Sequence, residues 1–285
     1  MKRLLRNKYF NFTGNFLLVI CLFALHISAQ NQNKTPPKKY KLKQEVFPYR
    51  LGDTTVKIVV NKTSPAVSKF VYFNLHDNEN TAVEATREII GKFGGTLIEL
   101  QIDGKRLINF SLKNNRFTFD PNRIFTKKGI KATLKNNGEY SIEAEKETSK
   151  FAGKLISYLK NTKLIIAVHN NTDENYSVES YEKGGEFETD AKLVNINSKT
   201  DVDDFFYVTE NSFFKKLKGK NQNVALQDNV NVTDDGSLSV YCGNNKISYI
   251  NVESEHGHLQ EQTKMLELLQ NLLKKFSRAT KKSRK

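Results

Sequence analysis

The sequence predicts an α/β protein built as a three-layer sandwich around a mixed central β-sheet. Short apolar runs rich in Val, Ile, Phe and Tyr, typical of buried strands, alternate with longer segments whose apolar residues recur at helical spacing. This alternation favours strands covered by helices on both faces, rather than separate helical and β domains. The chain has 285 residues, of which 38% are hydrophobic, and this is enough for one large core.

The beginning of the chain resembles a secretory signal peptide over residues 1–29. A basic segment at residues 1–8 precedes an apolar run at residues 16–25. That run is shorter than the roughly 20 residues of a membrane span, so we expect no stable membrane insertion after cleavage. Residues 30–48 are polar and predict an exposed linker. We therefore expect a bacterial protein that is periplasmic or secreted.

The end of the chain carries much of its positive charge. The net charge is +14, and residues 278–285 form a basic tail after a single domain predicted at residues 49–277. A tail of this kind could bind an anionic polymer, and we keep this as an alternative function. We expect no nucleic acid, because an exported protein rarely meets it and no aromatic residues interleave with the tail lysines. The sequence leaves the oligomeric state unknown.

Cysteine usage also fits an envelope protein. Cys242 is the only cysteine after the predicted signal peptide, so the mature chain cannot form an intramolecular disulfide. A nearby histidine would allow a cysteine nucleophile. A single cysteine closing an apolar run is more often a small core residue, and we prefer that interpretation.

The individual elements follow from periodicity and from stop signals. Three segments have helical spacing of apolar residues: 80–93, 145–159 and 259–276. Gly94 and Gly95 end the first of them, as glycine commonly does at helix C-termini. Short apolar or β-branched runs predict strands at 56–60, 70–75, 96–100, 107–112, 116–119, 163–168, 205–209, 223–227, 237–242 and 246–252.

Polar residues stand where three of the predicted strands end. His76 and Glu79 follow one strand, His169 follows another, and Glu253 follows a third. The carboxyl ends of parallel strands meet at one edge of a sheet, and ligands bind there. Two His and one Glu brought together at such an edge are typical of a catalytic zinc that keeps an open fourth position.

A fourth fragment offers a group suited to a substrate carboxylate. Asn122 and Arg123 follow the strand predicted at 116–119. A guanidinium presents a planar fork that matches a carboxylate. The alternative is that Arg123 simply pairs with Asp120.

Together the fragments resemble the zinc carboxypeptidase superfamily, which includes the metallocarboxypeptidases and the aspartoacylase/succinylglutamate desuccinylase group. The resemblance covers residues 70–255, and the compact first half is more similar to the second group. The residues that carry it occur in the order His76, Glu79, Asn122, Arg123, His169 and Glu253. The resemblance implies a carboxypeptidase/phosphorylase-like fold and one Zn2+.

The same resemblance implies a role for each residue. His76, Glu79 and His169 would bind zinc, Asn122 and Arg123 would hold the substrate carboxylate, and Glu253 would be the general base. An arginine that polarises the scissile carbonyl has two candidates, Arg116 and Arg106, of which we name Arg116. His258, in a second cluster after the last strand, is named as a substrate-binding residue or as a group that orients Glu253. The superfamily's Gly-rich lead into the first His is absent, since Asn74 and Leu75 stand there.

The resulting hypothesis is an exported zinc hydrolase that cleaves an amide or peptide bond next to a free carboxylate. Its substrate would be a small molecule or a peptide, and export makes cell-wall peptides reasonable candidates. One alternative is an N-acyl amino acid deacylase on the same scaffold. Another is a non-catalytic domain that captures a carboxylate-bearing ligand.

Overall fold

The computed structural model describes residues 40–63, 70–160, 162–172 and 176–282, with side chains as far as residue 274. The strands are β1 (Leu42–Leu51), β2 (Thr54–Thr63), β3 (Phe70–Asn74), β4 (Thr96–Gln101), β5 (Ile108–Leu112), β6 (Asn115–Phe119), β7 (Leu164–Asn171), β8 (Ala191–Asn195), β9 (Phe205–Val208), β10 (Val224–Gln227) and β11 (Ser248–Glu255). The α-helices are α1 (Asn80–Phe93), α2 (Lys127–Asn137), α3 (Ile142–Leu159), α4 (Asn211–Lys218), α5 (Leu238–Asn244) and α6 (Leu259–Lys282).

In the described part of the chain, nine strands form one sheet in the order β1-β2-β4-β3-β7-β11-β9-β10-β8. The four central strands β4, β3, β7 and β11 run parallel to one another. The pairs β1-β2, β2-β4, β11-β9 and β10-β8 are antiparallel. The predicted α/β fold with a mixed sheet is therefore confirmed, and the parallel centre sends four strand ends to one edge.

Two apolar layers cover the sheet. On one face, α1, α4 and α6 pack against the sheet residues Tyr72, Leu97, Ile166 and Ile250. On the other face lie α2, α3, α5 and the separate β5-β6 hairpin, which bury Phe73 and Ala167. The helices on both faces complete the three layers that the alternating pattern predicted.

The alternation along β7 decides which face of the sheet carries the side chain of His169, the first polar residue of the strand. Ile165 and Ala167 belong to the core under α2, α3 and α5, whereas Ile166 and Val168 belong to the opposite core. Because successive side chains of a strand point to opposite faces, His169 falls on the side of α2, α3 and α5.

The N-terminal boundary of the folded region differs from the prediction. Residues 30–48 were expected to be a linker, but β1 begins at Leu42 and pairs with β2 over its whole length. The described residues, from Tyr40 onward, belong to one compact unit. β1 is an edge strand with mostly exposed side chains, so it lacks the apolar alternation that marks a half-buried strand. The predicted signal peptide lies outside the described residues.

One predicted strand is wrong. Residues 237–242 form the cap and most of α5, a helix that covers the site-bearing face of the sheet. Ser237 is the N-cap, and its hydroxyl accepts a hydrogen bond from the backbone N–H of Val240. This run is as apolar as a strand, and the cap serine decides in favour of the helix.

The remaining differences concern helices. The helices α2 and α4 were not predicted, because their exposed faces are rich in lysine and their apolar stripes are short. The last helix continues to Lys282, into the predicted basic tail of residues 278–285. None of the helices in the described residues has the length and apolar character that crossing a membrane requires.

Candidate metal centre

The carboxyl ends of the three neighbouring strands β3, β7 and β11 bring the predicted site together. His169 and Glu253 are direct partners in the parallel register of β7 and β11. β3 pairs with β7 on the opposite side and ends at Asn74, two residues before His76. All three functional side chains are buried. The edge predicted from the strand ends is therefore the edge at which they meet.

Glu79 stands between the two histidines. Its Oε1 lies 2.7 Å from Nδ1 of His76, and its Oε2 lies 2.8 Å from Nδ1 of His169. Glu79 occupies the N-cap position of α1, yet its carboxylate caps no helix N–H and turns to the imidazoles instead. One ligand atom from each residue can be chosen so that all three lie within 4.8 Å of one another.

The donor set fits a divalent metal. Two imidazole nitrogens and one carboxylate are the His2Glu combination of catalytic zinc sites. The Nε2 atom of His169 is buried and has no hydrogen-bond partner among the described residues. Both Nδ1 atoms point at one carboxylate, so a cation among them would replace the two hydrogen bonds now made there. His76, Glu79 and His169 are the residues that could hold it.

Asp120 fixes the other side of the first imidazole. Its Oδ1 lies 2.8 Å from Nε2 of His76, and Asp120 is buried at the end of β6. A carboxylate on the far nitrogen of a metal-binding histidine sets the tautomer and the ring orientation. His76 would then keep its proton on Nε2 and leave Nδ1 for the metal.

These contacts set the charges of the centre. Burial lowers the pKa of His76, but the carboxylates of Glu79 and Asp120 outweigh it and raise that pKa to about 9. Burial likewise raises the pKa of Glu79, but the imidazoles of His76 and His169 hold it well below its usual range. Without a metal, a proton on His76 therefore supplies positive charge that a cation could supply instead.

Arg106 contacts the centre, whereas Arg116 does not. Nη1 of Arg106 lies 3.1 Å from Oε1 of Glu79, and Nη2 lies 3.4 Å from Oδ2 of Asp120. Arg116 is exposed on β6, where Phe117 and Phe119 take the inward positions. Of the two candidate arginines, therefore, the structure brings Arg106 and not Arg116 to the candidate centre.

Glu253 is buried beside the centre without a salt-bridge partner among the described residues. Its Oε2 accepts a hydrogen bond of 2.8 Å from the amide of Asn251. Burial raises the pKa of Glu253 to about 7, a shift that the charge of His169 moderates and that of Glu79 increases. A carboxyl that titrates near neutrality can both take and return a proton at physiological pH.

Asn122 and Arg123 form a short 3-10 turn directly after Asp120. The side-chain oxygen of Asn122 accepts a 3.1 Å hydrogen bond from the backbone N–H of Leu238, the first residue of α5. Arg123 pairs through Nε with Asp235 at 3.4 Å, so Asp235 rather than Asp120 is its salt-bridge partner. The Arg123 side chain is 37% exposed and is therefore partly accessible to solvent.

Tyr176 is a residue that the sequence did not reveal. Burial raises its pKa, the charge of Glu253 raises it further, and the charge of Arg123 lowers it. Its hydroxyl is hydrogen bonded to that of Tyr181. Another tyrosine, Tyr241, packs against Phe125. Tyr176 follows β7 in an irregular segment with no periodic signal, so only the three-dimensional structure identifies it.

His258 lies at the start of α6, away from the contacts just described. Its Nε2 is 3.3 Å from Oε2 of Glu255, and its Nδ1 is 3.9 Å from Oδ1 of Asp204. The side chain is 36% exposed and makes no hydrogen bond to Glu253. Orientation of Glu253 by His258, one of the two roles considered, has no supporting contact.

Comparison with solved structures finds chains of low similarity to this one. A protein from Shewanella baltica provisionally assigned as a metallopeptidase shares 12% identity, with 79% of this chain and 84% of that chain covered and a TM-score of 0.41. Murein-tripeptide amidase MpaA from Escherichia coli O157 shares 11% identity, with coverages of 82% and 96% and a TM-score of 0.40.

A third similar structure is a protein from Shewanella frigidimarina provisionally assigned to the succinylglutamate desuccinylase/aspartoacylase family. It shares 9% identity over 81% of this chain and 70% of that chain, with a TM-score of 0.39.

No protein-family model matches the sequence. No curated protein matches it either. Because the three structures named above share at most 12% of residues with this chain, the chemistry of the centre has to follow from its own side chains.

Proposed function

We propose that the protein is an exported, zinc-dependent hydrolase that cleaves an amide or peptide bond next to a free carboxylate. The observation that carries the proposal is the Glu79 carboxylate held between Nδ1 of His76 and Nδ1 of His169, with Glu253 paired in register with His169. Export, to a periplasm or to the medium, is part of the proposal and rests on the signal-like residues 1–29.

The metal would be held by His76, Glu79 and His169. A bound zinc would supply a Lewis acid and lower the pKa of water at the centre. Asp120 would keep the imidazole of His76 in the tautomer that leaves Nδ1 free, because its carboxylate accepts a hydrogen bond from Nε2–H. These four side chains are buried, which excludes bulk water from around the cation.

Glu253 would serve as the acid–base residue. Its carboxylate would accept a proton from the attacking water and return it to the leaving amine. The pKa of about 7 supports this role, because a base works best when its pKa lies near the operating pH. The hydrogen bond from Asn251 fixes one carboxylate oxygen and so orients the carboxylate.

Two arginines would recognise the negative charges of substrate and transition state. Arg123, with Asn122 beside it, would bind the free carboxylate of the substrate, exchanging part of its contact with Asp235 for the ligand. Arg106, replacing Arg116 in this role, would stabilise the oxygen of the cleaved carbonyl as charge develops on it. Arg106 contacts both Glu79 and Asp120, which places its guanidinium beside the proposed ligands.

Cell-wall peptides and N-acyl amino acids both satisfy these requirements. Each presents an amide next to a free carboxylate, and this carboxylate is the group that Arg123 would bind. A panel of peptides and N-acyl amino acids, each with a free or an amidated terminus, separates them. We expect cleavage only of members with the free carboxylate, and loss of this preference in Arg123→Ala.

The first test is the metal content of the purified protein beside the double variant His76→Ala, His169→Ala. We expect about one zinc fewer per chain in the variant. The exposed His256 gives a matched control, because His256→Ala removes an imidazole elsewhere and should change nothing. Equal zinc in wild type and double variant would refute the centre.

The second test separates a hydrolase from a domain that only binds. Glu253→Gln should keep the metal and lose roughly 10²–10⁴-fold in the rate of hydrolysis. Retained metal and ligand binding, together with the absence of turnover in the wild type, would establish the non-catalytic alternative.

A further inference from the structure

A second group of ligand atoms lies at the same edge of the sheet, further out. We call it the rim cluster; it consists of Asp201, Asp204, Glu255 and His258. Glu255 is the last residue of β11 and pairs in register with Asn171 of β7. It follows Glu253 by two residues on the same face of the strand, which separates the two side chains by about 7 Å. The rim cluster shares no residue with the proposed zinc centre.

The rim cluster is rich in acceptors. One ligand atom each of Asp201, Glu255 and His258 can be chosen so that all three lie within 4.8 Å of one another. Asp204 adds a carboxylate whose Oδ1 is 3.9 Å from Nδ1 of His258. In the described part of the chain, no lysine or arginine forms a salt bridge with any of the three carboxylates.

A buried amide oxygen next to the rim cluster is also left unpaired. Asn171 is 7% exposed, and its amide N–H groups donate to the backbone carbonyls of Tyr176 and Asp203 at 2.9 and 2.7 Å. Its Oδ1 is buried and has no hydrogen-bond partner among the described residues. Asn171 stands level with Glu255 on the same face and is bonded to the loop between Asp201 and Asp204, so its side chain lies beside the rim cluster.

The imidazole repeats this pattern. The Nδ1 atom of His258 is buried and has no hydrogen-bond partner in the part of the chain that the structure describes, although its Nε2 lies 3.3 Å from Glu255. Buried acceptors without donors are rare in folded proteins, and such groups gather around cations. Three carboxylates and one imidazole thus lie together next to an unpaired amide oxygen, and among the described residues no lysine or arginine pairs with these carboxylates.

We infer that the rim cluster binds a second divalent cation, with Asp201, Glu255 and His258 as its protein ligands and Asp204 and Asn171 as neighbouring oxygens. One imidazole among carboxylates suits Zn2+ or Mn2+ better than Ca2+, which takes oxygen ligands. Such a cation would join the end of β11 to the loop before β9 and to the start of α6. It would thereby fix the rim of the proposed active site without taking part in its chemistry.

Zinc stoichiometry after chelator treatment and dialysis against Zn2+ tests this inference. We expect two zinc ions per chain in the wild type, one in the double variant Asp201→Asn, His258→Gln, and one in His76→Ala, His169→Ala. Combining all four substitutions should leave none. His256→Ala, which removes an exposed histidine two residues from His258, should still bind two.

The two proposed sites fail in different ways. If the double variant Asp201→Asn, His258→Gln binds as much zinc as the wild type, the rim site does not exist. This holds whether or not the proposed zinc centre at His76, Glu79 and His169 binds zinc. If the wild type binds one zinc that only the rim substitutions remove, the zinc centre proposed at His76, Glu79 and His169 is refuted and the rim site is supported. Thermal unfolding of His76→Ala, His169→Ala should shift upward on adding zinc, because a ligand that binds the native state stabilises it. The shift should vanish when the rim substitutions are added.

Discussion

Replacing Glu253 by Gln should stabilise the metal-free protein at alkaline pH. Glu253 is 4% exposed, and burial raises its pKa from the ordinary 4.5 to about 7. Its pKa is therefore higher in the folded state than in the unfolded state. Stability from this group is fully present below pH 4.5 and is lost as the pH rises through 7, because folding then requires a buried negative charge. Glutamine has nearly the same shape and no charge to bury.

The magnitude follows from the difference between the two pKa values. A difference of about 2.5 between 4.5 and about 7, at 1.36 kcal/mol for each pKa unit, gives a gain of about 3 kcal/mol at pH 8. At pH 5 most of the folded protein carries a neutral Glu253, so the gain falls below about 1 kcal/mol. The amide of Asn251 can still donate to the glutamine oxygen, so no hydrogen bond need be lost.

Urea unfolding of chelator-treated protein at pH 5 and pH 8 measures this difference. Glu139→Gln is the matched control, because Glu139 is exposed and its substitution should change stability by less than about 0.5 kcal/mol at either pH. Bound zinc should reduce the gain, since a nearby cation favours the carboxylate. An equal free energy of unfolding for wild type and Glu253→Gln at pH 8 would refute the claim that burial raises the pKa of Glu253.

Three further predictions concern other parts of the structure. Asp120→Asn removes the carboxylate that orients His76 and should weaken zinc binding about 10–100-fold by competition with a chelating dye, with the unfolding transition little changed. Gly129→Ala should lower the free energy of unfolding measured in urea by more than about 2 kcal/mol, because the added Cβ would lie 2.2 Å from a neighbouring backbone carbon. Gly153→Ala is the control: its Cβ would enter open space in α3, and it should raise the free energy of unfolding by up to about 1 kcal/mol. Cys242 should resist thiol reagents until the protein unfolds, because burial raises the pKa of its thiol; labelling of the native protein detected by mass spectrometry would contradict this.

The proximity of His169 and Glu253 could be predicted because it depends on local features of the sequence. A buried parallel strand is a nearly continuous apolar run, so the residue that ends the run marks the sheet edge. His169 and Glu253 both follow such runs, and the structure pairs them in register. No knowledge of the packing was needed to bring these two side chains together.

Other parts of the fold depend on signals that an apolar run does not contain. The segment 237–242 is apolar enough for a strand, but Ser237 caps it and it packs on the sheet as α5. The edge strand β1 is fully paired with β2 although most of its side chains face solvent. Strand formation there is decided by a partner strand next to it and not by alternation.

The sequence could not predict which of Arg106 and Arg116 lies near the candidate centre, because this depends on contacts between residues far apart in the chain. Asp77 lies between the proposed ligands His76 and Glu79, and its carboxylate accepts hydrogen bonds from the backbone N–H groups of Ile102 and Gly104. These bonds hold the turn after β4 against the metal centre.

Arg106 follows that turn directly, so its guanidinium reaches Glu79 at 3.1 Å. Arg116 follows a tight turn in which Lys113 and Asn114 both have positive φ, and the strand register then sends its side chain away from the buried Phe117. Asp77, next to the first proposed ligand, thus helps to hold Arg106 at the candidate centre. The residues between His76 and Glu79 therefore hold the turn that carries Arg106, in addition to spacing the two ligands.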